Sequence, residues 1–183
     1  MKKELNIKQG EVIWFTGLSG AGKTTIALRL REKLESLGKS VEILDGDAIR
    51  NTRHKHLGFS RKDIRENNKL IAELAREKKK NFDFVLVPII SPYKEDRIMA
   101  RSIIGNNFLE LFINASLQSC INRDAKGLYK KAFAGEINNF VGISDSNPYE
   151  APDKPDVEIK SDKLTLEDNV KKIINYLKSK NLL

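Results

Sequence analysis

Eight consecutive residues, Gly17-Leu18-Ser19-Gly20-Ala21-Gly22-Lys23-Thr24, fit the spacing G-x-x-x-x-G-K-[ST] in full, and Thr25 follows them. Glycines at this spacing let the backbone turn tightly with its N–H groups converging on phosphate oxygens. A helix that begins at the end of the loop adds the positive end of its dipole. Lys23 would then reach the β- and γ-phosphates, and the Thr24 hydroxyl could ligate Mg²⁺. A tight strand-to-helix turn that happens to carry a lysine is the bland alternative; it does not account for the complete pattern.

A second group lies in "LDGDAIR", where Asp45 and Asp47 stand two residues apart and Arg50 three further on. Two carboxylates and a guanidinium at this spacing can handle a divalent cation, a hydroxyl and an anion together. In phosphoryl transfer, positioning and charge matter more than proton removal, though Asp47 could also accept the acceptor's proton. The competing reading is an Asp-Gly turn with an N-capping aspartate.

Other nucleotide chemistries lack their marks. No G-x-G-x-x-G is present, which argues against a nicotinamide or flavin enzyme. Asn68-Lys69 is followed by Leu70-Ile71 rather than by a guanine-reading x-Asp. An ATP-using kinase for a small molecule, or an ATPase, remains. His54 and His56 have no Cys or His at metal-ligand spacing, which argues against zinc.

These residues need a scaffold. Strand-type runs at 11–16, 40–45, 83–90 and 108–114, with a weaker fifth at 156–160, alternate with helical patterns at 23–37, 62–80, 94–104, 116–123 and 165–179. Such alternation predicts an α/β fold, a parallel sheet with helices on both faces. Asp45 and Asp47 then leave the carboxyl edge of the sheet, where ligands of open α/β folds bind. Gly38 is placed to end the first helix. The "KKK" at 78–80 suits the negative end of a helix dipole, a structural role. Residues 125–155 fit neither period; their aromatics and lysines predict a mobile lid.

The totals agree with one domain over 1–183. The chain has 183 residues, 40% apolar and 32% charged, and a formal net charge of +8. That charge favours anionic ligands, or else describes a lysine-rich solvated surface. Dispersed basic residues and the lack of an RNA-binding aromatic motif argue against nucleic acid. The single cysteine, Cys120, points to a reducing compartment. "MKKELNIKQG" has no apolar segment after its lysines, so it is not read as a signal peptide. "FVLVPII" is too short to span a bilayer, and a cytoplasmic location is expected.

The blocks "GLSGAGKTT", "DGDAIR", "LGFS", "ISPYKEDRIMAR", "RDAKGLYKKAFAGEI" and "PYEAP" together resemble the adenylylsulfate (APS) kinase family. The resemblance implies a P-loop NTPase fold, three-layer αβα with a five-stranded parallel sheet. It also implies transfer of the ATP γ-phosphate, with Mg²⁺, to the ribose 3′-hydroxyl of adenosine 5′-phosphosulfate, giving PAPS. It assigns the loop Gly17–Thr25 and Arg123 to ATP, and Thr24 with Asp45 to the metal. It assigns Asp45, Asp47, Arg50, Asn67 and Ile90 to the acceptor, with Phe59 and Phe140 sandwiching its base. Lys126 would bring charge to the phosphates when the lid closes. Ser91 matches the serine described in the family as phosphorylated; with no base near it in sequence, a substrate-orienting hydroxyl is the role expected. Arg97 and Arg101, at i,i+4, either serve the site or form salt bridges. The family is often dimeric, so a homodimer is a further expectation.

One departure stands out. The family pattern Asp-Arg-x-Glu-Asn here reads Asp63-Ile64-Arg65-Glu66-Asn67. One helical step turns a side chain by about 100°, so Arg65 does not share the face of Ile64, Asn67 and Ile71. Ala125, Phe133 and a longer "SDSN" also depart around the acceptor and lid. A kinase for another nucleotide conjugate, such as cytidine diphosphoramidate, is therefore the alternative reading.

Overall fold

Every position of β1 (Glu11–Thr16) after Glu11 is buried, as a central strand covered on both faces requires. β1 pairs with β3 (Phe84–Pro88) on one side and β4 (Phe108–Asn114) on the other. β2 (Val41–Ile43) and β5 (Val157–Lys160) form the edges, and all four pairings are parallel, in the order β2-β3-β1-β4-β5. The computed structural model describes residues 9–183; most of the "MKKELNIKQG" segment read above lies outside them.

The period of two along β1 sorts its side chains between two layers. Ile13 and Phe15 pack with α1 (Lys23–Ser36) and α7 (Leu166–Ser179), through residues such as Leu30, Leu34, Ile173 and Leu177. Val12 and Trp14 pack on the opposite face with α3 (Arg61–Lys78) and α4 (Lys94–Ile104), through Ile71, Ala75, Ala100 and Ile104. The expected three-layer αβα architecture with five parallel strands is the one observed. Among the described residues no helix is long and apolar enough to cross a membrane.

α3 and α4 are joined by a buried charge. Asp96 is fully buried, and Arg61 donates to both its carboxylate oxygens, at 2.8 and 2.9 Å, with Arg65 at 3.2 Å. A buried carboxylate is tolerated only when so partnered. This fixes the rotation of α3, so that Ile64, Asn67 and Ile71 are buried while Arg65 is turned to Asp96.

Three parts differ from the sequence reading. β2 and β3 are shorter than 40–45 and 83–90, because the chain leaves the ladder to build the site; Pro88 offers no N–H to continue it, and Ser91 lies at φ +43°. A short helix, α2 (Gly46–Thr52), stands where the helical patterns read above had none, and Asp45 caps it. The lid segment, beyond α5 (Leu117–Arg123), contains α6 (Leu128–Phe133). The lysine cluster is structural as expected: α3 ends at Lys78, Lys79 Nζ donates to Ile104 O at 2.7 Å at the end of α4, and Lys80 pairs with Glu77. Arg97 and Arg101 are structural too, ion-paired to Glu110 and Asp156 at 2.8 Å each.

Candidate active site

β1 ends at Thr16 and the chain turns at once into the glycine loop. A Cβ on Gly17 would lie 2.5 Å from Ile113 O, so only glycine lets the loop pass over β4. Gly22, at φ +99°, forms the N-cap of α1. The loop carbonyls from 17 to 21 are all engaged. Lys23 Nζ donates to Gly17 O (2.9 Å) and Leu18 O (2.7 Å), and Tyr129 Oη to Ser19 O (2.9 Å). Arg123 donates to Gly20 O (3.3 Å) and Ala21 O (3.4 Å). The Gly17 and Ala21 N–H groups bond Ile90 O and Leu18 O, and the loop's other amides are left for an anion. Burial above all, with the Lys126 charge acting in the same direction, holds the Lys23 ammonium down at about 8, against Cys120, Asp47 and Asp45, which act to raise it.

Asp45, at the end of β2, does two things. Its Oδ1 accepts from the backbone N–H of Asp47 and Ala48, capping α2, and its Oδ2 accepts from Thr24 Oγ1 at 3.2 Å. The N-cap reading and the metal-site reading of this residue therefore coexist. Asp47, in the first turn of α2, is ion-paired with Lys126. Arg50 donates to Leu57 O (3.1 Å) and Gly58 O (2.7 Å), and its guanidinium lies 4.6 Å from the centre of the Phe59 ring. It thus holds the loop that carries Phe59. Phe59 is 55% exposed, leaving ring surface open for stacking.

At the end of β3, Thr16 Oγ1 and Arg97 Nη1 donate to Ser91 O. They pin the backbone in its left-handed turn. Ser91 Oγ is buried with no hydrogen-bond partner among the described residues. On α3, Asn67 Oδ1 is hydrogen-bonded to His54 Nδ1 at 2.9 Å. Phe140, beyond α6, meets the Tyr129 ring edge to face, with centroids 5.0 Å apart.

One cavity of about 720 Å³ gathers these groups, within the size range of small-molecule sites. Its lining includes Ser19 to Thr25, Asp47, Arg50, Phe59, Asn67, Ile90, Ser91, Arg123, Lys126 and Phe140. Gly17, Leu18 and Asp45 stand behind the lining and hold it.

A glycine loop of phosphate-binding spacing and a wall of carboxylate, guanidinium and aromatic side chains in one cavity invite comparison with known proteins. The family model described as adenylylsulphate kinase matches residues 9–160. The chain belongs to the adenylylsulphate kinase family. It is 47% identical to the adenylyl-sulfate kinase of Halothermothrix orenii, covering 94% of this chain and 92% of that one. It is 51% identical to that of Rippkaea orientalis, covering 91% and 90%. Among solved structures it resembles the Mycobacterium tuberculosis APS kinase in complex with AMPPNP and APS, with a TM-score of 0.88 and 39% identity, over 93% of this chain and 98% of that one.

Several residues of this cavity carry no mark in the sequence. Tyr129 lies inside "KGLYKK" and lines the cavity, whereas its neighbours Lys130 and Lys131 are exposed and off the cavity wall. Asn169, Leu164 and Ser161 line the cavity from beyond β5, with no motif to mark them. Ile64 lines the same cavity, buried with Tyr93 and Val141.

Proposed function

We propose that the protein transfers the γ-phosphate of ATP to the ribose 3′-hydroxyl of adenosine 5′-phosphosulfate, giving ADP and PAPS. The observation that carries this reading is the placement of Lys23 and Asp47 in one cavity, close enough for Asp47 to act on the lysine's charge. The amides after β1 and Lys23 grip the β- and γ-phosphates. The acceptor's base stacks on Phe59 and Phe140, and its sugar lies toward Asp47 and Ser91. The 3′-oxygen attacks the γ-phosphorus, the bond to the β-bridging oxygen breaks, and Asp47 takes the hydroxyl proton. Lys126 is released from Asp47 to the developing charge on the phosphoryl oxygens.

Thr24 Oγ1 and Asp45 Oδ2 supply two oxygens side by side, which suits Mg²⁺, a cation that keeps few protein ligands beside phosphate and water. Bound there with ATP, it would neutralise charge on the β- and γ-phosphates. We place the reaction in the cytoplasm, with a second copy of the chain as partner. Light scattering in solution tests the second point.

Ile64 on the acceptor wall keeps one other reading in view, a different nucleotide conjugate as acceptor. The deciding experiment offers ATP with APS, AMP and cytidine diphosphoramidate in parallel and locates the new phosphate by ³¹P NMR. Turnover of APS at the 3′-position at low concentration supports the proposal. Turnover of the cytidine compound alone overturns it.

A further inference from the structure

Phe59 and Phe140 come from segments far apart in the chain, yet a base clamp works only at one spacing. Phe59 sits on the exposed connection between α2 and α3, and Phe140 on the lid beyond α6. Half an ångström to one ångström of excess gap forfeits roughly a quarter to a half of a dispersion contact. Something must therefore set the distance between the two segments.

We propose that Asn147 is the positioning residue that does so, its side-chain amide tying the backbone beneath Phe59 to the backbone beside Phe140. Asn147 is only 2% exposed. Its Nδ2 donates to Phe59 O at 3.0 Å and to Asn139 O at 2.7 Å, and its Oδ1 accepts from Tyr93 Oη at 2.7 Å. Both N–H groups face carbonyls and the oxygen faces a hydroxyl donor, so the amide has one orientation only. Tyr93 is itself held: the Arg61 guanidinium lies 4.0 Å from its ring centre, and Arg61 is bound to the buried Asp96. The chain of contacts runs from the α3–α4 ion pair through Tyr93 to Asn147 and ends at both acceptor-side rings. Asn147 belongs to the "SDSN" stretch that lengthens this part of the chain. A buried amide with all three bonds made rigidifies its surroundings; truncating it strands two carbonyls and a phenol.

This inference rests on the reading of Phe59 and Phe140 as the base clamp, so the test separates the two. Wild type, Phe59→Ala, Asn147→Ala and the double variant are compared for KM and kcat with APS and for the KM of ATP. Phe59→Ala is expected to raise the APS KM about tenfold; no rise means that the clamp reading fails. Asn147→Ala is expected to raise the APS KM by a similar factor, with ATP KM within about twofold. In the double variant the second substitution should add less than about twofold, since a clamp that has lost one ring no longer depends on the spacing that Asn147 sets. Tyr93→Phe keeps both N–H bonds and should leave the APS KM within about threefold. If Asn147→Ala does not fold, Asn147→Ser, which keeps one donor, takes its place in the cycle. A responsive Phe59→Ala beside an unchanged Asn147 variant, an equal loss for ATP, or effects that simply multiply would overturn the role of Asn147.

Discussion

Lys126 of the lid is ion-paired with Asp47 of the first turn of α2, across 79 residues of sequence. Both side chains are more than half exposed, so the pair adds little to stability. Its significance is positional. It brings a lid cation to the carboxylate that faces the phosphate loop, and it must part for that carboxylate to meet a hydroxyl.

Asp47→Asn keeps the shape and removes the base. We expect kcat to fall by about 10²–10⁴, with the KM of ATP changed by less than about threefold. Steady-state kinetics with saturating APS checks this. An unchanged kcat would remove Asp47 from the chemistry.

Lys23 carries both a mutational and a pH prediction. Lys23→Ala should cost about 3–4 kcal/mol of transition-state stabilisation, or 10²–10³ in kcat. In the nucleotide-free protein its ammonium titrates at about 8, below its ordinary 10.5. A triphosphate binds the charged form. ATP affinity should therefore be level below pH 8 and weaken by up to about tenfold per unit above it, with proton uptake on binding. For folding the sign is the opposite. Between pH 8 and 10.5 the unfolded chain holds a proton that the native state has released, so this group makes stability rise with pH. Calorimetry in buffers of different ionisation enthalpy, repeated with Lys23→Met, tests both; the variant should lose both slopes.

Thr24 and Asp45 separate metal binding from helix capping. Asp45→Asn retains an oxygen for the N–H groups of Asp47 and Ala48 but loses the charge. It should raise the Mg²⁺ concentration needed for half-maximal rate about tenfold while melting within a degree or two of wild type. Asp45→Ala also removes the cap and should cost about a further 1 kcal/mol of stability. Magnesium titrations and thermal melts together decide. Equal metal dependence in wild type and Asp45→Asn would place the cation elsewhere.

The phosphate side of the site was legible because a glycine loop needs a fixed local spacing, and the α/β alternation placed it at the strand ends. The rotation of α3 was legible for the same reason, since the period of 3.6 put Ile64, Asn67 and Ile71 on one face. Asn147 and Tyr129 were not, because their roles depend on carbonyls distant in the chain. Helix α2 was half legible: Asp45 offered itself as an N-cap, but Asp45-Gly46 reads equally as a turn, and the seven residues after Asp45 have no period long enough to decide.

Ile64 offers the sharpest test of how the acceptor is held. It is 5% exposed and packs with Tyr93 and Val141 on the cavity wall. Arg65 cannot supply the missing charge, because it is bound to Asp96. Ile64→Arg places a guanidinium at the acceptor end with no anion of its own, and overpacking alone costs about 1–3 kcal/mol. In a chain of this size that lowers the melting temperature by roughly 2–4 °C per kcal/mol. The phosphosulfate of APS would then pair with the new cation, so the APS KM should fall about tenfold and added APS should restore the lost stability. ATP should show neither effect. A variant that melts lower and gains nothing for APS would mean that Ile64 is a packing residue, and that the acceptor's anion is read elsewhere on the wall.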